Sequence, residues 1–199
     1  MRDVDVWIRL FRSVAASAPT DPPRAHSTPI EALLLAWTGA STPPALRQHA
    51  APDEVLWHAL CARHGAPACV TLACEGPLAP EIGAQGIETW HATELCALHA
   101  LAWFAAPRGT DAIWRRVRSA AAWCLDEVQP DHATDRPWGA HVFAMLGCGG
   151  DERAVLYADG LVHHAVLSRG VPSETTAKIL ADAARWLDER GRQAGDDAA

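Results

Sequence analysis

The sequence predicts an all-α protein: an array of antiparallel α-hairpins. Three observations predict it. Apolar residues recur at three- and four-residue steps through the long segments. No stretch alternates with period two for long, so no sheet is expected. Pro and Gly cluster between the periodic segments, where helices start and stop. With 199 residues the chain can bury a sizeable core in one domain.

Residues 3–17 place Val4, Trp7, Ile8, Phe11 and Val14 on one stripe of an amphipathic helix. Four prolines within 18–29 exclude regular structure there, and Thr28 then caps a helix over 29–38. Pro29 stands at its first position and Glu31 at its third, the pattern of a capping box. A second Pro-rich spacer, 41–52, leads into a helix over 52–63 that Gly65 stops. Ala68–Cys74 carries Val and Thr, but a lone strand would have no partner, so it reads as a short helix.

From Gly86 the segments lengthen. Residues 88–106 are apolar nearly all round, which predicts a helix buried on most sides. Residues 111–128 set Arg115, Arg116, Arg118, Asp126 and Glu127 on a charged side. Ile113, Val117, Ala120, Ala121, Cys124 and Val128 lie opposite. After a polar turn, Pro137-Trp138 launches a helix over 137–147. Helices over 151–168 and from Ser173 to about Arg190 follow. The chain thus reads as N-terminal helical segments with Pro-rich spacers (1–80), a helical-hairpin core (81–190) joined to them in one domain, and a disordered tail (191–199).

The stretch from Arg118 to His141 resembles the QW motif of squalene-hopene cyclases and related α/α toroids. It offers an Ala-rich helix with Trp123, then Gln129, then Pro137-Trp138. The resemblance implies that Gln129 and Trp138 clamp one hairpin to the next. Ala121–Glu127 and Ala184–Glu189 also echo each other, as in a helical repeat. The Asp-x-Asp-Asp motif of the cyclases is missing, as is the zinc pattern of the prenyltransferase β subunits. The resemblance therefore implies an array that is open or curved into part of an α/α toroid, and speaks to fold and not to activity.

A net charge of −7 argues against a nucleic-acid surface, and no apolar run reaches membrane-spanning length. Cys96, Cys124 and Cys148 fall inside apolar helical patterns and no secretory leader is visible, so reduced thiols and a cytoplasmic location are expected. His58, Cys61 and His64 share one short helix and have metal-ligand chemistry, but their spacing drifts round its axis. Polar residues inside apolar helices are the candidate site. Glu94 and His99 lie in one such helix, His141 follows Trp138, and Asp159 and His163 stand one turn apart on another. Each needs a partner or costs about 1–3 kcal/mol. As a site, Asp159, His163 and His141 would supply acid–base groups. His99, Glu94, Trp103, Trp138, Gln129, Asp131 and Tyr157 would line a Trp-walled pocket. A metal would call on His99, His141 and His163. No cofactor is implied. Two readings stay open: a helical scaffold or binding module for a small apolar ligand or protein partner, and a small-molecule enzyme or metal protein using the buried His and Asp.

Overall fold

The computed structural model describes residues 3–19, 28–67, 75–79, 86–105, 111–128, 136–167 and 170–196. Every regular element among them is a helix. In chain order these are α1 (Val4–Ala16), α2 (Pro29–Trp37), α3 (Pro52–Cys61), α4 (Ile87–Ala105), α5 (Asp111–Glu127), α6 (Ala140–Cys148), α7 (Glu152–Leu167) and α8 (Glu174–Asp196). The expected short helix at Ala68–Cys74 lies outside the described residues, as do Gln129 and Asp131.

The centre is α4. Its all-round apolar sequence is matched by burial, with every residue from Glu94 to Trp103 buried. It packs against α3, α5 and α6. Sequential helices are neighbours in the pairs α2–α3, α3–α4, α4–α5 and α6–α7. The most extensive interface joins the two ends of the chain, α1 on α8, with α1 also touching α6. Trp7, Ile8 and Phe11 form the buried stripe of α1, and Arg12 pairs with Asp188 of α8 at 3.1 Å. The described residues ahead of α4 thus contribute to the core. Trp7, Phe11, Leu34, Leu56 and Trp57 share one buried cluster with α4, α6 and α8.

Thr28 caps α2 through the predicted reciprocal box, its hydroxyl accepting from the Glu31 N–H and Glu31 accepting from the Thr28 N–H. The other Glu31 oxygen accepts from Arg136 and from Thr175 of α8, both at 2.9 Å. One carboxylate thus ends a helix and fastens it to two distant segments.

Three boundaries and one face differ from the sequence reading. Helix α6 begins at Ala140, not Pro137, because Gly139 has φ +72°, which no right-handed helix admits. A side chain at 139 would be strained there, and its Cβ would lie 3.4 Å from the Leu95 carbonyl oxygen. Helix α3 stops at Cys61 rather than Arg63, since Arg63 itself takes a left-handed φ of +56°. Helix α8 continues to Asp196, past Arg190 and into the expected tail, with Arg192 reaching back to Asp188. Arg116, assigned to the charged side of α5, is buried.

Candidate functional site

The polar residues of the apolar helices gather into two buried clusters. The larger is centred on Asp182. It lies on the α8 stripe with Ile179, Ala183 and Trp186, at helical steps of three and four, so the stripe that carries the helix into the core carries a carboxylate with it. Four donors converge on its two oxygens. Oδ2 accepts from Trp103 Nε1 at 2.7 Å and lies 3.1 Å from His99 Nε2. Oδ1 accepts from Trp37 Nε1 at 3.2 Å and from Arg185 at 2.6 Å.

His99, on α4, has its other nitrogen engaged as well, because Nδ1 accepts the Gly139 N–H at 3.2 Å. A nitrogen that accepts carries no hydrogen. The hydrogen-bond network therefore assigns the Nε2–H tautomer, with Nε2 donating to Asp182. The same bond explains the left-handed glycine, whose conformation turns its N–H into α4. Around His99 stand Trp57 (5.6 Å between ring centroids), Trp138 (5.3 Å) and His141 (4.2 Å). His141 also packs on Trp186 at 4.8 Å. Both of its nitrogens are buried without a hydrogen-bond partner among the described residues. Burial pushes its pKa well below the ordinary value, and the neighbouring His99 adds to the effect.

The cluster is roofed by Arg185. Its guanidinium lies over Trp103 (4.5 Å to the ring centroid) and Trp37 (5.2 Å), and those two rings meet edge to face at 5.2 Å. Arg185 is in contact with solvent, its side chain 40 % exposed, while the Asp182 side chain beneath is wholly buried.

The second cluster holds the segment 75–79 against α4 and α5. Glu94 accepts the Leu78 N–H at 2.7 Å and the Ala79 N–H at 2.6 Å, while Trp90 Nε1 donates to the Ala79 carbonyl. Arg116 donates to the carbonyls of Gly76 and Pro77, each at 2.9 Å. Burial raises the Glu94 pKa, and the backbone bonds it accepts and the Arg116 charge offset part of that rise. Burial likewise pushes the Cys124 thiol and the Tyr157 phenol up. In the first turn of α3 lies a further buried acid, Asp53, whose pKa burial lifts to about 7 despite a backbone bond, Cys96 and Arg47.

Of the sequence candidates, His99, His141, Trp103 and Trp138 come together, and Glu94 belongs to the second cluster. Asp159 and His163 do not join them. His163 is exposed, with His164 as its ring neighbour at 6.3 Å, and Asp159 is half-buried on the same helix. The expectation that both were buried fails because α7 turns that face outward. The Tyr157 hydroxyl has no partner among the described residues, so a bond to His164 is not made; its ring packs on Phe143 at 4.3 Å. Cys61 donates to the Leu33 carbonyl and does not join His58 and His64 in a ligand set. Among the described residues no group of three or more His, Cys, Asp or Glu is placed to hold a metal ion. Trp37 packs on Trp103, while Trp57 and Trp138 pack on each other and on His99. A groove of about 250 Å³ lies between α2, the segment 44–47 and α3, and it shares no residue with the Asp182 cluster. Asp182, Arg185, Trp37, Arg116 and Asp53 were missed by the sequence reading. A carboxylate on the apolar stripe Ile179–Trp186 was the available signal for Asp182.

No helix among the described residues is long and apolar enough to cross a membrane. No protein-family model, no curated protein and no solved structure matches this chain.

Proposed function

We propose that the protein is a helical scaffold serving as a binding module, with a partner or small ligand held at its surface and no reaction at its polar core. One observation carries this reading: the His99–Asp182 couple is saturated. A general base needs a free lone pair within reach of substrate. The only lone pair on the His99 ring is taken by the Gly139 N–H, and Asp182 already accepts from four donors. Such an arrangement ties α2, α4, α8 and the turn before α6 together.

The enzymatic alternative draws its support from His141, whose nitrogens lack partners, but this ring is wholly buried and His163 faces solvent. A cytoplasmic setting belongs to the proposal, supported by free thiols at Cys61, Cys96 and Cys124. Kinship with α/α toroids is likewise proposed. Its support is the packing of sequential helices and the burial of Trp138, the motif's aromatic.

Imidazole nitrogen shifts tested on ¹⁵N-histidine-labelled protein separate the readings. The binding module requires His99 to be an Nε2–H tautomer with Nδ1 hydrogen-bonded. A His99 ring protonated at Nδ1, or a free one exchanging rapidly with solvent, would overturn it.

A further inference from the structure

We propose that the corner formed by Trp37, Trp103 and Asp182 is a binding site for a methylated ammonium headgroup, and that Arg185 is a resident cation which the ligand displaces. This rests on the reading of the protein as a binding module and names the ligand class of its polar cluster.

The corner has the parts that such a headgroup requires. Two indole rings meet edge to face at 5.2 Å, and a cation already lies over both of them, 4.5 and 5.2 Å from their centroids. Aromatic faces attract cations through the ring quadrupole, and Trp does so best. Behind the rings sits the Asp182 carboxylate, fixed by the indole N–H groups of the same two tryptophans. With His99 assigned as a neutral tautomer, the charge opposing Asp182 in this network is Arg185. Without it a buried carboxylate is left uncompensated, so the corner calls for a cation.

Arg185 fills the corner imperfectly. Its Nε–H is buried and has no hydrogen-bond partner among the described residues. An unpaired buried donor carries a desolvation penalty. A methylated ammonium has the same charge and a similarly sized head, but presents methyl groups to the rings and leaves no N–H unpaired. Arg185 also has a way out, being 40 % exposed and attached three residues along the same helix from Asp182. Trp37 is half-buried and brings one wall of the corner to the surface.

The test follows the indole N–H resonances of Trp37 and Trp103 in ¹⁵N-labelled protein during titration with tetramethylammonium chloride, against sodium chloride at equal ionic strength. Both resonances are expected to shift and saturate. In Arg185→Ala saturation should come at roughly tenfold lower concentration, since the internal competitor no longer depletes the open form. Adding Trp37→Ala to that variant should abolish saturation. Choline should bind where its uncharged isostere 3,3-dimethylbutan-1-ol does not. A peptide bearing trimethyl-lysine, compared with choline, distinguishes a peptide-borne headgroup from a free one by which binds tighter. The proposal is overturned if folded Arg185→Ala gives no shift beyond the salt control, or if the isostere matches choline. If Arg185→Ala does not fold, Arg185→Gln takes its place. Loss of fold in both makes Arg185 a structural pillar and ends the proposal. These outcomes leave the His99 tautomer untouched, so failure here and failure of the binding-module reading are distinguishable.

Discussion

Asp182 sets the terms for the residues around it. Both of its oxygens face pairs of donors, so an amide in either orientation would turn an NH₂ towards N–H groups. Asp182→Asn should therefore cost about 3–5 kcal/mol, the range for breaking a buried charged pair, as read from urea denaturation. His141 presents the opposite case. Its nitrogens are buried without partners, so removing them relieves a penalty of about 1–3 kcal/mol. His141→Leu, close in volume, is expected to equal or exceed the wild type in stability at pH 7, by about 1 kcal/mol. A clear loss of stability in that variant would mean that the imidazole has a hydrogen-bond partner in solution.

Between elements, α6 and α7 approach closely at Gly147. A Cβ on Gly147 would stand 2.5 Å from Val155 Cγ2 and 3.2 Å from the Val155 backbone nitrogen. The backbone cannot move aside without parting the helices, so Gly147→Ala should cost about 1–3 kcal/mol by overpacking, visible as a lowered Tm. Much at this scale was legible in the residues. The capping box at Thr28, the amphipathic stripe of α1 and the buried all-apolar α4 follow from local chemistry, where the residue types decide the outcome. Other features were not legible because they depend on what a side chain meets across the fold. Arg116 lies in a run of charges and reads as solvated, yet two carbonyls of a distant segment draw it inward. Asp159 and His163 share a face by spacing, but spacing does not say which side of α7 meets the core. Pro137 looks like a helix start until Gly139 turns left-handed to reach His99. Half of the central cluster, His99, His141 and Trp103, was named from burial arguments. Its hub was not, because a single Asp in a helix is usually solvated.

For the molecule as a whole, buried titratable groups pull stability in opposite directions with pH. The folded-state pKa of His141 is depressed, so below about 6.5 the unfolded chain binds a proton that the folded chain does not. Stability is then lost as the pH falls. Asp53 is raised to about 7 from 3.8, so over that interval the folded state holds the extra proton, and stability is lost as the pH rises. Glu94, also raised, acts in the same sense as Asp53. Asp53→Asn should gain on the wild type by roughly 1–3 kcal/mol between pH 5 and pH 8, because only the wild type loses its proton over that range. His141→Leu should remove the decline on the acid side. Denaturant midpoints of the three proteins at pH 5, 6.5 and 8 check both slopes.

The seating of α1 on α8 has a further consequence, in time. Helix α1 is synthesised before α8, with which it has its largest interface, the two separated by the chain between Ala16 and Glu174. At ribosomal rates of about 5–20 residues per second, α1 waits roughly 10–30 seconds for its partner. Throughout that interval Trp7, Ile8 and Phe11 lack the surface that buries them, and a nascent chain halted before α8 keeps them bare. Translation through α8 is thus what closes this interface, and a ribosome stalled ahead of it would hold a chain that is still adhesive.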